Sequence, residues 1–237
     1  MNELANLSAL EQLRAPRLPR RLAQLMLGLV LYGASMAMML RSHLGLDPWD
    51  VLHEGLAHWL PLSFGAIVIV VGLAVLLLWI PLRQRPGLGT IANALVIGVA
   101  TDLTLAVLQT PGSTAGRAAL LVGGIVLNGL AGALYIGAQL GPGPRDGLMT
   151  GLVRRTGRSV RLVRTTLEVV VLVTGFLLGG TVGVGTVLYA VSIGPLVQLF
   201  LPRAVVRLEP RPPAQDVYDA WFLVHRPVGH GAFRPSW

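Results

Sequence analysis

The chain has no cysteine and no lysine among its 237 residues. The first absence excludes a disulfide framework, a zinc-thiolate site and a Cys nucleophile. The second excludes a Walker-type lysine for nucleotide phosphates. Charge is also scarce: 13% of residues are charged, against about 25% in an average soluble domain. What remains is 53% apolar residues with 29 glycines and 16 prolines. Such a composition fits neither a disordered chain nor a water-soluble domain. Glycine and proline are tolerated at this level in membrane helices.

The net charge of +8 comes from 19 arginines against 11 acids, which in a soluble protein would suggest nucleic acid or an acidic partner. Position argues otherwise. Six apolar stretches, near 22–40, 64–82, 89–108, 118–138, 166–182 and 184–201, each approach the roughly 17 to 25 residues that cross about 30 Å of hydrocarbon. The first is too long for a signal-peptide core, and Arg41 follows Met36–Leu40 in place of a small-residue cleavage site, so it reads as a retained span. With the N-terminus cytoplasmic, 17 arginines fall inside and only Arg41 and Arg117 outside. The positive-inside rule therefore orients both termini toward the cytoplasm. The basic excess is a topology signal with some attraction for anionic lipid, not a nucleic-acid surface.

Internal repetition sharpens this reading. Residues 44–56 match residues 140–152 at seven of 13 positions, an offset of 96; residues 87–98 match 183–194 at six of 12 with the same offset. Upstream, Leu25, Gly28, Val30, Leu31, Gly33 and Ala37 align with Leu121, Gly124, Val126, Leu127, Gly129 and Ala133. A unit of three spans is odd, so its second copy enters the bilayer from the opposite side. The expected architecture is all-α: a polytopic membrane protein with six transmembrane helices as two inverted three-helix repeats with Gly/Pro breaks. The divisions are 1–21, a cytoplasmic N-terminal segment; 22–109 and 110–202, the two repeats; and 203–237, a cytoplasmic Pro/Arg-rich tail. In this topology the first Leu-Gly-x-x-Pro-x-Asp block faces outside and its copy the cytoplasm. Inverted repeats with matched breaks point to secondary transporters.

Several blocks carry a resemblance: Leu44-Gly45 with Pro48-Trp49-Asp50; Gly141-Pro142-Gly143-Pro144-Arg145-Asp146-Gly147-Leu148-Met149; Arg164 with Glu168; Gly179-Gly180-Thr181-Val182-Gly183-Val184-Gly185-Thr186; and Ile193-Gly194-Pro195. Over about 20–201 the chain resembles the YczE branch of the YczE/YitT-type bacterial integral membrane proteins. The resemblance implies a multi-span protein of the bacterial cytoplasmic (inner) membrane and no defined activity.

The candidate substrate- or ion-binding residues are Asp102, Glu168, Arg164, Asn93, Asp50, Asp146 and Arg145. Asp50 and Asp146 each follow a proline that should open a short helix. They read either as first-turn caps of that helix or as a symmetric pair of gating carboxylates. Arg164 and Glu168 are four residues apart on one helix face, an ion pair or a proton-linked couple. Asp102 lies deep in its stretch and needs a partner from another helix, with Asn128, Asn93 or Arg117 as candidates. Gly137/Gly141, Gly147/Gly151 and Gly179/Gly183 have close-packing spacing. The paired Gly87-Leu88-Gly89-Thr90 and Gly183-Val184-Gly185-Thr186 read as tight turns or breaks with amides facing a cavity.

Enzymatic chemistry is not expected. His53-Glu54 with His58 departs from the zincin spacing, so these histidines read as solvated and interfacial, and no metal or cofactor is expected. In the tail, Val217, Tyr218, Trp221, Phe222 and Val224 suit an amphipathic helix capped by Asp216, and Ser8 with Glu11 suits a small N-terminal helix. Two functions stand open. One is a permease for a small solute or lipid, with a polar site between the repeats. The other is a non-transporting accessory or scaffold protein that holds a protein partner through its C-terminal tail.

Overall fold

The computed structural model of the protein describes residues 9–208, and among these no strand occurs. The helices are α1 (Ala9–Arg14), α2 (Leu18–Ser42), α3 (Pro48–Ala57), α4 (Phe64–Trp79), α5 (Leu88–Val107), α6 (Thr114–Gly137), α7 (Pro144–Thr156), α8 (Val160–Leu177) and α9 (Val184–Ala204). α1 lies where the N-terminal pattern suggested a helix. Ser8 and the amphipathic tail segment lie outside the described residues.

Four helices, α2, α5, α6 and α9, are long and apolar enough to cross a membrane. α4 is apolar but has only 16 residues. α8 covers 160–177 rather than 166–182, because Ser159 caps it: the Ser159 hydroxyl accepts from the Leu162 amide at 3.3 Å, drawing Arg161 and Arg164 into the first turns. Of the six stretches, four thus meet the length and composition of a span.

Helix starts recur with the offset of the sequence blocks. Leu18, Pro48, Phe64 and Leu88 each precede Thr114, Pro144, Val160 and Val184 by 96 residues. The local causes recur too. Ser63 caps α4 as Ser159 caps α8. The Thr90 and Thr186 hydroxyls accept from the amides of Gly87 and Gly183 at 3.1 and 3.2 Å. Gly45 and Gly141 turn the chain at φ +113° and +114°, a conformation that strains any residue with a Cβ. After each turn a proline opens a short helix, where its missing amide costs nothing.

The helices also pack reciprocally. Gly28 of α2 rests on Ala131, Leu134 and Tyr135 of α6, while Gly124 of α6 rests on Ser35, Met38 and Met39 of α2. Subtracting 96 converts one contact set into the other, as across an isologous interface. The Gly89 amide donates to Leu140 O and the Gly185 amide to Leu44 O, each at 2.7 Å. The Gly-x-Gly-Thr amides therefore seal helix ends against the other half and do not face a cavity. Arg21, grouped by sequence with the cytoplasmic arginines, is fully buried. It donates to the carbonyls of Ala138, Gln139 and Gln12 at 2.8, 2.6 and 2.7 Å.

Reciprocity fails between the pairs α4–α5 and α8–α9. α4 packs on α5 with Gly65 against Gly98 and Gly72 facing Ala94. α8 stands away from α9, and no atom lies within 4 Å of the place a side chain on Gly194 would take. The physical reason is bulk: Gly194 corresponds to Gly98, but Gly65 and Gly72 are replaced by Arg161 and Glu168. Side chains of that size keep the second pair apart.

Candidate functional site

Because the chain turns back at Gly45 and Gly141, α3 and α7 begin inside the protein, and their N-terminal ends meet. The Arg145 guanidinium lies 4.9 Å from the centre of the Trp49 ring. Its Nη1 and Nη2 stand 3.7 Å from Asp47 Oδ1 and 3.8 Å from Asp50 Oδ1. Trp49 and Arg145, expected on opposite faces of the bilayer, are thus in contact. The arginine topology alone sends the first block outside and its copy to the cytoplasm; the turns at Gly45 and Gly141 carry both short helices inward.

Asp47 is the cap of α3. Its Oδ1 accepts from the amides of Trp49 and Asp50 at 2.9 and 3.1 Å. Asp50 is therefore free of the capping role proposed for it. The His53 Nδ1 donates to Asp50 Oδ1 at 3.0 Å, and both side chains are buried. His53 is consequently not the solvated interfacial residue that sequence suggested. Asp47 Oδ2 and Asp50 Oδ2 are buried and accept no hydrogen bond from the protein. Asp146 departs from its repeat partner: its Oδ2 accepts from the Tyr135 hydroxyl at 2.6 Å. Gly143, which caps α7, supplies no side chain where the first half has Asp47.

Two cavities adjoin this cluster, and Tyr32, Trp49, Tyr135, Arg145 and Asp146 line both. The larger, about 330 Å³, is bounded by Asp47, Tyr189 and Asn128 and by the separated α8 and α9, with Arg164, Glu168 and Gly194 in its wall. Arg164 Nε donates to Glu168 Oε1 at 3.0 Å, the pair expected from their spacing, and both side chains are partly exposed. A polar chain supports the opposite wall. Tyr189 donates to Asn128 Oδ1 at 3.1 Å, Asn128 Nδ2 to Ser35 Oγ at 2.9 Å, and Ser35 to Tyr32 O at 2.6 Å. The smaller cavity, about 80 Å³, holds Asn93 and His53.

Asp102 lies elsewhere. Its Oδ2 accepts from the Ser63 hydroxyl at 2.5 Å and its Oδ1 from the Gly65 amide at 2.7 Å. It closes the N-terminus of α4, and none of Asn128, Asn93 or Arg117 is its partner. A carboxylate on one helix is satisfied here by the free amide and capping hydroxyl at a neighbouring helix's N-terminus. Asp102→Ala should therefore lower stability by about 1 kcal/mol, the worth of a cap. Thermal melting of the purified protein checks this. A fully stable variant would remove Asp102 from the capping role.

Six of the seven candidate residues, all but Asp102, border the two cavities or the charge cluster between them. Sequence reasoning missed Asp47, His53 and the three tyrosines. The Asp-Pro dipeptide at 47–48 was the available signal, since Asp before an N1 proline is ordinary capping grammar. Nothing in the local sequence marks Tyr32, Tyr135 or Tyr189, which sit on three different long apolar helices.

A family of unknown function, DUF6198, matches residues 19–202. An uncharacterized protein of Haemophilus influenzae is 42% identical over 177 residues, 75% of this chain and 81% of that one. The uncharacterized membrane protein YczE of Bacillus subtilis is 33% identical over 163 residues, 68% of this chain and 76% of its own length. Bacillus subtilis also contributes an uncharacterized protein, YyaS, 26% identical over 180 residues, 74% of this chain and 90% of that one. No solved structure matches the chain.

Proposed function

We propose, for a chain that belongs to the DUF6198 family of membrane proteins, that it is a permease of the bacterial inner membrane, with both termini cytoplasmic, six spans and two inverted repeats. The carrying observation is the meeting of two opposed half-helices, α3 and α7, at a charged cluster beside a 330 Å³ cavity. Broken helices that place polar groups at the interface of antiparallel halves are the architecture in which substrate sites form in alternating-access transporters. In this reading α3 dips in from outside and α7 from the cytoplasm. The reciprocal contacts then define a pseudo-dyad in the membrane plane. The unequal pairs α4–α5 and α8–α9 are one state of an alternating pair: the first closed, the second open toward the cytoplasm. Exchange of the two arrangements opens the other side.

Topology is tested with single thiols on the cysteine-free chain. Leu62→Cys and Arg158→Cys occupy equivalent exposed positions, 96 residues apart. An impermeant maleimide should label the first from outside the cell and the second only from the cytoplasmic side. Labelling of both from one side overturns the inversion. Alternation needs a second pair, Leu167→Cys in the larger cavity and its counterpart Val71→Cys in the smaller. Leu167→Cys should react from the cytoplasm, Val71→Cys from outside, and modification of either should suppress the other. Independent reactivity, or a permanently inert Val71→Cys, favours a scaffold.

A further inference from the structure

We infer that the larger cavity binds a protonated primary or secondary amine with an apolar body, its N–H groups donating to Asp47 Oδ2. As the substrate class of the proposed permease, this rests on that reading; as a statement about binding, it is tested apart from it.

The charges at the converging helix ends do not balance. Asp47 and Asp50 face a single guanidinium, Arg145, while Asp146 accepts from the Tyr135 hydroxyl and Arg164 and Glu168 satisfy each other at the cavity wall. Arg145 is already shared between two carboxylates and the Trp49 face, at distances too long for hydrogen bonds. It is poorly placed to take an added anion. The cluster has spare acceptors instead: Asp47 lines the cavity, is 1% exposed, and its Oδ2 accepts nothing. A buried carboxylate oxygen calls for a donor, best a charged one.

The form of the cation follows from the surroundings. Among the described residues no group of three His, Asp or Glu side chains is arranged to hold a metal ion. A quaternary ammonium brings no N–H for Asp47 Oδ2. Beside the polar Asn128 and Gln198, the lining includes the aromatic Tyr32 and Tyr189 and the aliphatic Leu167, Ile193 and Val197. These suit an apolar body and add cation–π attraction near the amine.

The test is calorimetric titration of the purified full chain in nanodiscs with n-butylamine and 2-phenylethylamine, with trimethyl(2-phenylethyl)ammonium and 3-phenylpropanoate as controls. The primary ammonium ions should bind, the quaternary ion at least tenfold more weakly, and the carboxylate not at all. Asp47→Asn keeps an oxygen for the α3 cap, so it should fold and melt like the parent while losing at least tenfold in amine affinity. Leu167→Trp, which fills the cavity and leaves Asp47 in place, should lose binding as well. Equal amine affinity in Asp47→Asn, tighter binding of 3-phenylpropanoate, or no amine binding would overturn the assignment. Amine binding without alternation at Leu167→Cys and Val71→Cys keeps the site and removes the permease. Alternation without amine binding does the reverse.

Discussion

Arg145→Gln should be the most damaging single change at the converging helices. It leaves Asp47 and Asp50, both essentially inaccessible, facing each other with no counter-charge. Removing one partner of a buried ion pair costs about 3–5 kcal/mol, chiefly through the uncompensated charge left behind. The Arg145 side chain retains 28% exposure, so solvent offsets part of that loss and the lower end, about 3 kcal/mol, is expected. Thermal or denaturant unfolding in a fixed detergent measures it. Arg145→Lys should lie in between, because a single ammonium cannot bridge two carboxylates and cover a Trp ring as a planar guanidinium does. Adding Asp50→Asn to Arg145→Gln should recover part of the stability, since the damage is electrostatic. If Arg145→Gln melts like the parent, or if Asp50→Asn worsens it, the cluster is not what joins α3 to α7.

The reach of sequence reasoning differs between the repeat and the site, for one physical cause. The offset of 96 was readable because the residues it preserves are those that admit no substitution. Gly28 and Gly124 touch opposing helices, Gly45 and Gly141 hold a left-handed turn, and Pro48 and Pro144 open helices. Each requirement is local or reciprocal and leaves its mark in both copies. Apart from Asp50 and Asp146, the site is built largely from what the copies do not share. Asp47 corresponds to Gly143, Trp49 to Arg145, His53 to Met149 and Glu168 to Gly72. A search for matches discards such positions. Asp102 was misread for a related reason. Its depth in an apolar run called for a partner from another helix, with Asn128, Asn93 or Arg117 as candidates, but its partners are a hydroxyl and an amide at the start of α4. The charge cluster itself joins segments nearly 100 residues apart, a pairing that helical periodicity cannot supply.

The same divergence between copies gives a second large effect, in the packing of the halves. Gly175 of α8 lies against the Val51–Leu52 backbone of α3, and at the equivalent contact Gly147 of α7 lies against the Trp79 ring. Positions 51 and 147 correspond, as do 79 and 175. A glycine makes room in both places, on α8 in the first and on α7 in the second, so the order is reversed. Gly147→Val therefore copies the first-half residue into a contact that has no room for it. The Trp79 ring is 2% exposed and tied by its Nε1 to Pro144 O at 3.0 Å, so it cannot swing aside without losing that bond. Overpacking of this kind costs about 1–3 kcal/mol, and the top of that range is expected. Trp79→Gly alone should cost about 3–5 kcal/mol through the void it leaves. The double variant reproduces the pairing of the other half and should be more stable than the sum of the singles by at least about 1 kcal/mol. A double-mutant cycle on unfolding midpoints reads this coupling directly. Additive losses would mean that the two contacts are independent solutions. A positive coupling would mean that one steric rule is applied at both, with α3 and α7 seated against the opposite half by the same mechanism.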